Sequence, residues 1–233
     1  MQVLLFLHRL YFFVILNIRN KKTYKMKKII FLFIISSLIS IKGIGLTLSP
    51  ETEVSILTCA PGNELYSLFG HTAIRINDPR HQIDRVYNYG TFDFSTPHFY
   101  LKYARGLLPY QLTVQKFSHF IYNYQLEERT VYAQTIRLDS LEKQRIFDLL
   151  EENLLPQNRY YLYNFLFDNC TTRSRDILLK SLPDSVAWNM PDVNKNFWNL
   201  LDEYLQASPW VQWGIHTILG QRGNRTATTF QYM

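Results

Sequence analysis

"FDNCTTRSRD", residues 167–176, sets an acid, an amide and a thiol side by side after the mostly aromatic or apolar run Tyr161–Leu166. Ile177, Leu178 and Leu182 then recur at helical spacing, and Pro183 ends the segment. Asp168 or Asn169 is the natural cap, which puts Cys170 in the first turn of a helix. Unpaired N–H groups and the positive end of the helix dipole favour an anion there, so they lower a thiol pKa. The same N–H groups suit an oxyanion, and Arg173 and Arg175 add positive charge nearby. On this local reading Cys170 is a buried structural residue, half of a disulfide, or a nucleophile.

The chain has 233 residues, 47% of them apolar and 15% aromatic, enough for one globular domain with a substantial core. Its net charge of +6 is unevenly placed. Residues 1–45 hold 8 of the 25 Lys and Arg and no acid, which leaves 17 bases against 19 acids in residues 46–233. The folded part therefore has no positive field to draw in a polyanion, and nucleic-acid binding is excluded. "MKKIIFLFIISSLISIKG", from Met26, has a basic start and a 13-residue apolar stretch, Ile29 to Ile41. That is the form of a secretory signal. Gly43-Ile44-Gly45 is the best cleavage site, and a retained anchor is the alternative. We expect translation to begin at Met26, with residues 1–45 an upstream extension plus signal or anchor and residues 46–233 an exported domain. Export brings an oxidising compartment, in which a Cys59–Cys170 disulfide rivals a free thiol.

The remaining pattern is α+β, with most neighbouring strands antiparallel. Strands are expected at 54–58, 71–76 and 84–90, in "YQLTVQKF" and in "RTVYAQTIRL". Helices are expected from Pro61-Gly62-Asn63 to Phe69, before Gly106, over 118–128, after Asp139 with its capping-box Glu142, from Cys170, and around 194–207. There is no phosphate loop, no dinucleotide glycine pattern, no His-Glu-x-x-His, no Cys-x-x-Cys and no Gly-x-Ser-x-Gly. No metal site and no cofactor are expected.

His71 is the candidate base. It opens the strand "HTAIRI" directly after Gly70, where a strand end can meet a thiolate at a helix start. Without a partner, a lone histidine is an ordinary polar residue. With residues 77–82 as a hairpin turn, position 71 lies opposite 88–89, which makes Asn88 the candidate to orient the imidazole. Asn169, Thr171 and Arg173 are candidates for oxyanion stabilisation or positioning. Tyr87, Tyr89, Phe92 and Phe94 are expected to line an apolar groove or to belong to the core.

"LTCAPGNELYSLFGHTAIRI", "VYNYGTFDF", "FYLKYARGLLPYQL" and "YNFLFDNCTTRSRD" together resemble the N-terminal periplasmic domain of Lnb-type lipoprotein N-acyltransferases. The order of His on a strand and Cys later at a helix start also resembles circularly permuted papain-like folds. The resemblance implies an antiparallel sheet packed against helices, with Cys170 as nucleophile and His71 as base and then acid. It implies a phospholipid acyl donor, a lipoprotein amine as acceptor, and work at a membrane surface. Members with this activity carry a multi-helix membrane portion after the periplasmic domain. Against that pattern this chain, ending in "TATTFQYM", looks truncated at its C-terminus, either as a fragment or as a stand-alone relative. Two other readings stand beside it: a papain-like amidase or peptidase acting on cell-wall peptides, and a non-catalytic, disulfide-stapled binding module.

Overall fold

The computed structural model describes residues 45–182 and 194–228. The expectations about residues 1–44 lie outside the described residues. The chain divides into two units, and the second, from Thr47 onward, holds the sheet and the site.

Six strands form one antiparallel sheet. They are β1 (Glu53–Cys59), β2 (His71–Asp78), β3 (Ile83–Phe92), β4 (Pro109–Lys116), β5 (Val131–Thr135) and β6 (Tyr160–Leu162), in the order β5-β1-β2-β3-β4-β6. Among the described residues six α-helices accompany them: α1 (Phe99–Ala104), α2 (Phe117–Leu126), α3 (Ser140–Leu154), α4 (Cys170–Ser181), α5 (Phe197–Leu205) and α6 (Pro209–Leu219). The fold is α+β, with an antiparallel sheet packed against helices.

Strand alternation explains how both faces are covered. Val54, Ile74, Ile76, Tyr87, Tyr89 and Leu112 face α3 and α4, where Ile146, Phe147, Leu150, Ile177 and Leu178 complete the main core. Leu57, Cys59, Ala73 and Val86 face the other way, against Phe120 of α2. A helix on each side is why β2 and β3 are apolar on both faces at their centres.

Local chemistry sets the helix starts. Asp139 and Glu142 form a complete capping box at α3. Asn169 caps α4: its Oδ1 accepts the N–H groups of Thr171 and Thr172, both at 3.0 Å. Of the two cap candidates, Asn169 is the one used.

The segment 61–69 is not the helix its sequence suggests. It is a run of turns closed by Gly62 N–H to Ser67 O and Gly70 N–H to Ser67 O, both at 3.0 Å. The Ser67 hydroxyl donates to Glu64 O, and this local bond competes with helical pairing. Gly70 follows with φ +71°, and a Cβ there would stand 2.5 Å from Cys59 O. Two elements went unread in the sequence: β6, a short edge strand in the aromatic run, and α6, which begins with Pro209 at its first turn. Tyr87 and Tyr89 are core residues, not groove residues, both buried in the main cluster. Tyr87 Oη donates to Glu151, and the Tyr89 carbonyl accepts from Tyr161 Oη.

Candidate active site

Cys170 is the first residue of α4, and His71 is the first residue of β2. They meet where the β2–β3 ladder stops. That ladder runs from Asp78–Ile83 to Ile74–Tyr87 and no further, and β3 then carries an irregularity between Asn88 and Thr91. Extending the register places Gly90 opposite His71, one to two residues beyond the position expected from the hairpin count. The glycine is required there. A Cβ on residue 90 would lie 2.5 Å from His71 Cε1 and 3.0 Å from its Nδ1. A glycine inside a strand marks such close approaches.

The Cys170 thiol is held low, at about 7 against an ordinary 9.0. Burial is the largest influence and acts upward, because a desolvated thiolate is costly. It is outweighed by the charge of His71, by hydrogen bonding to the same imidazole, and by the Thr72 N–H and the Thr171 hydroxyl. His71 shows the reciprocal effect. Burial alone pushes its pKa down, but the Cys170 charge, hydrogen bonding to Cys170 and the Asn88 carboxamide together raise it. The pair therefore favours thiolate and imidazolium, the ionisation state of an activated cysteine nucleophile.

Asn88 stands beside the imidazole, although its Oδ1 already accepts the Gly90 N–H at 2.7 Å. His71 Nε2 is buried without a hydrogen bond of standard geometry. The Asn88 carboxamide nevertheless acts to raise the His71 pKa.

The other sequence candidates fall differently. Asn169 spends its carboxamide on the helix cap, with Nδ2 donating to Phe165 O at 3.0 Å. Thr171 joins α4 to β2 through a 3.0 Å bond between its hydroxyl and that of Thr72, and its Oγ1 lies 4.0 Å from Cys170 Sγ. Arg173 turns away. It clasps Asp168 through two hydrogen bonds of 2.6 and 2.8 Å and lies 3.8 Å above the Tyr161 ring, outside the cavity wall. Arg175 is held by Asp176. The helix-start N–H groups of Thr171 and Thr172 are consumed by the cap, so the backbone donor that reaches the sulfur comes from Thr72 of β2. Sequence reasoning missed Thr72 because a strand N–H leaves no mark on residue choice.

Both cysteines are free. Cys59 is buried opposite His71 in the β1–β2 ladder and packs in the second core cluster. Burial pushes its thiol up to about 11, so it is a neutral core residue at neutral pH. The expected disulfide rival is absent.

Cys170 and His71 open into a cavity of about 670 Å3, in the size range of small-molecule sites. One part of its wall is aromatic: Phe69, Phe92, Tyr103, Tyr110, Tyr163 and Phe165. Tyr110 and Tyr163 stack at 4.1 Å, and Phe69 meets Phe165 edge-on at 5.0 Å. Leu200, Leu201 and Tyr204 of α5 close that side. Gln115, Asn123, Glu127 and Arg129 supply a polar stretch. Among the described residues, no cluster of His, Cys, Asp and Glu could hold a metal ion.

A family model described as the Lnb N-terminal periplasmic domain matches residues 47–202, about two thirds of the chain. This chain belongs to that family. The match spans β1 through most of α5 and so includes both His71 and Cys170. Membership places the domain in the periplasm and ties it to Lnb-type lipoprotein maturation. No curated protein and no solved structure matches the chain.

Proposed function

We propose that this domain is a thiol acyltransferase that carries a phospholipid acyl chain on Cys170 to the N-terminal amine of a lipoprotein. The observation that carries the reading is the Cys170 thiol. It is held near 7 by His71 in spite of its burial, at the wall of an aromatic-lined cavity.

The steps follow from the positions of the groups. The Cys170 thiolate attacks the ester carbonyl carbon of the phospholipid, and the carbonyl electrons move onto oxygen. The Thr72 N–H, which already lowers the thiol pKa, is the candidate donor for that oxyanion. As the intermediate collapses, the C–O ester bond breaks and the His71 imidazolium gives its proton to the departing alkoxide. The acyl chain remains as a thioester, with its hydrocarbon along the aromatic wall. His71, now neutral, takes a proton from the incoming amine as that amine attacks the thioester. An amide forms and the thiolate leaves. The order of histidine on a strand and cysteine at a helix start is that of permuted papain-like enzymes, which perform this chemistry with the same two groups.

A papain-like amidase or peptidase is the second reading, and the polar stretch at Gln115, Asn123 and Arg129 favours it. One experiment separates the two. The protein is incubated with a diacyl phospholipid, and its intact mass is read before and after hydroxylamine. An acyl-sized increment on Cys170 that hydroxylamine removes, and that passes to a free-amine diacylglyceryl-cysteine peptide, supports acyl transfer. A Cys170 that alkylates readily but never acquires the acyl group refutes it in favour of the hydrolase. A thiol that does not alkylate at all refutes both.

A further inference from the structure

The largest exposed apolar side chains lie on α6, away from the Cys170 cavity. Trp210 is 85% exposed and Trp213 67%, with Ile218 at 54%. Trp210, Trp213 and Thr217 recur at helical spacing and share one outward face. Two open tryptophans on one helix are not explained by the domain's own core. Trp favours the layer between hydrocarbon and water, where its ring is apolar and its N–H stays wet.

Charge identifies the partner. From Tyr204 to Thr228 there is no Asp or Glu, while Arg222 and Arg225 are both exposed and make no ion pair among the described residues. The remainder of the domain is slightly acidic, so this basic end is local. An apolar helix face flanked by unpaired arginine suits an anionic lipid surface.

The face is linked to the site through α5. Helix α5 contributes Phe197, Leu200, Leu201 and Tyr204 to the cavity wall, and Tyr204 is half exposed at its edge. Helix α6 is clamped to α5 by the stacking of Trp198 on His216 at 5.0 Å and by His216 Nε2 to Asp202 Oδ1 at 2.8 Å. A surface that holds α6 is thereby brought to the helix that walls the cavity.

We propose that α6 docks this domain on an anionic phospholipid bilayer, with Trp210 and Trp213 seated in the interfacial layer. The purpose of the docking rests on the acyl-transfer reading, since it would deliver a lipid ester to the α5 side of the cavity.

The test uses the full chain with vesicles of phosphatidylglycerol and phosphatidylcholine, a fraction of them brominated on the upper acyl chain. Bromine quenches only tryptophans at that depth. The emission difference between wild type and Trp210→Phe/Trp213→Phe isolates these two side chains from Trp188 and Trp198. The expected result is that brominated lipid lowers this difference at least about twofold, and more weakly when phosphatidylglycerol is omitted. An unchanged difference overturns the proposal, even if the chain is vesicle-bound through another segment. A dimer by light scattering that Trp210→Ser/Trp213→Ser disperses, with no quenching, assigns the face to a second copy and also overturns it. Cys170 alkylation at the wild-type rate confirms that the variants are folded. Quenching without an acyl adduct on Cys170 leaves the docking standing and removes the acyl-transfer reading. An adduct without quenching does the reverse.

Discussion

Replacing His71 by alanine should invert the pH ranking of Cys170 reactivity. In the wild-type protein the thiol has a pKa of about 7 against an ordinary 9.0. At pH 7 it is half ionised where an ordinary thiol would be about 1% ionised, a gain of roughly 50-fold in thiolate. A less basic thiolate is also a poorer nucleophile. A Brønsted slope of ~0.4–0.5 over two pKa units takes back about 6- to 10-fold. The net advantage at pH 7 is then about 5- to 8-fold. Without His71, burial, the largest influence, is opposed only by the Thr72 N–H and the Thr171 hydroxyl and carries the thiol back toward or above 9.0. Alkylation by iodoacetamide rises with pH through the thiol pKa, because only the thiolate attacks. The wild-type midpoint is therefore expected near pH 7, and that of His71→Ala at or above pH 9. At pH 7 the variant should react at least about fivefold more slowly, while at pH 10 its more basic thiolate should match or overtake the wild type. A variant midpoint still near 7 would show that His71 does not set the thiol, and the proposed pair would fall. A uniform slowing at every pH would point to structural damage instead.

Three further outcomes follow from the same geometry. Gly90→Ala should displace the imidazole, because the new Cβ stands 2.5 Å from His71 Cε1. The expected loss is about 1–3 kcal/mol of stability with a raised Cys170 alkylation midpoint, read by denaturant melts and by the pH profile above. Asn169→Ala frees the N–H groups of Thr171 and Thr172 at the start of α4. Urea unfolding should show a cost of about 1–2 kcal/mol, and equal stability would mean that the cap does not hold the helix start. Asn88→Ala removes one of the contacts that raise the His71 pKa. Since the imidazolium is lost as pH rises through that pKa, the alkaline limb of turnover should move to lower pH, and an unmoved limb would remove Asn88 from the site.

Much of the architecture was legible because short-range physics wrote it. Alternation in "HTAIRI" and "RVYNYG" marks strands, while the helices that cover both their faces come from distant parts of the chain. Asp139 with Glu142 announces a helix start, and the cap at Asn169 places Cys170 in a first turn whatever the rest of the chain does. The segment 61–69 was misread because turn bonds within nine residues are as local as helix bonds, and the Ser67 hydroxyl tips the balance. Helix α6 was overlooked because its exposed tryptophans break the expectation that apolar residues turn inward.

The sequence by itself determined the chemical types: one thiol at a helix start, one imidazole at a strand start, in a domain with no net positive charge. Only the tertiary structure decided which groups tune that thiol. The helix N–H groups that seemed ready to do so are satisfied by Asn169, and the work passes to His71 and to the backbone of Thr72, which lie about 100 positions earlier in the chain. That distance is why no local pattern records them. A pKa depends on what stands within a few ångströms of the sulfur, and folding alone brings β2 to the end of α4 and clears the space for it at Gly90.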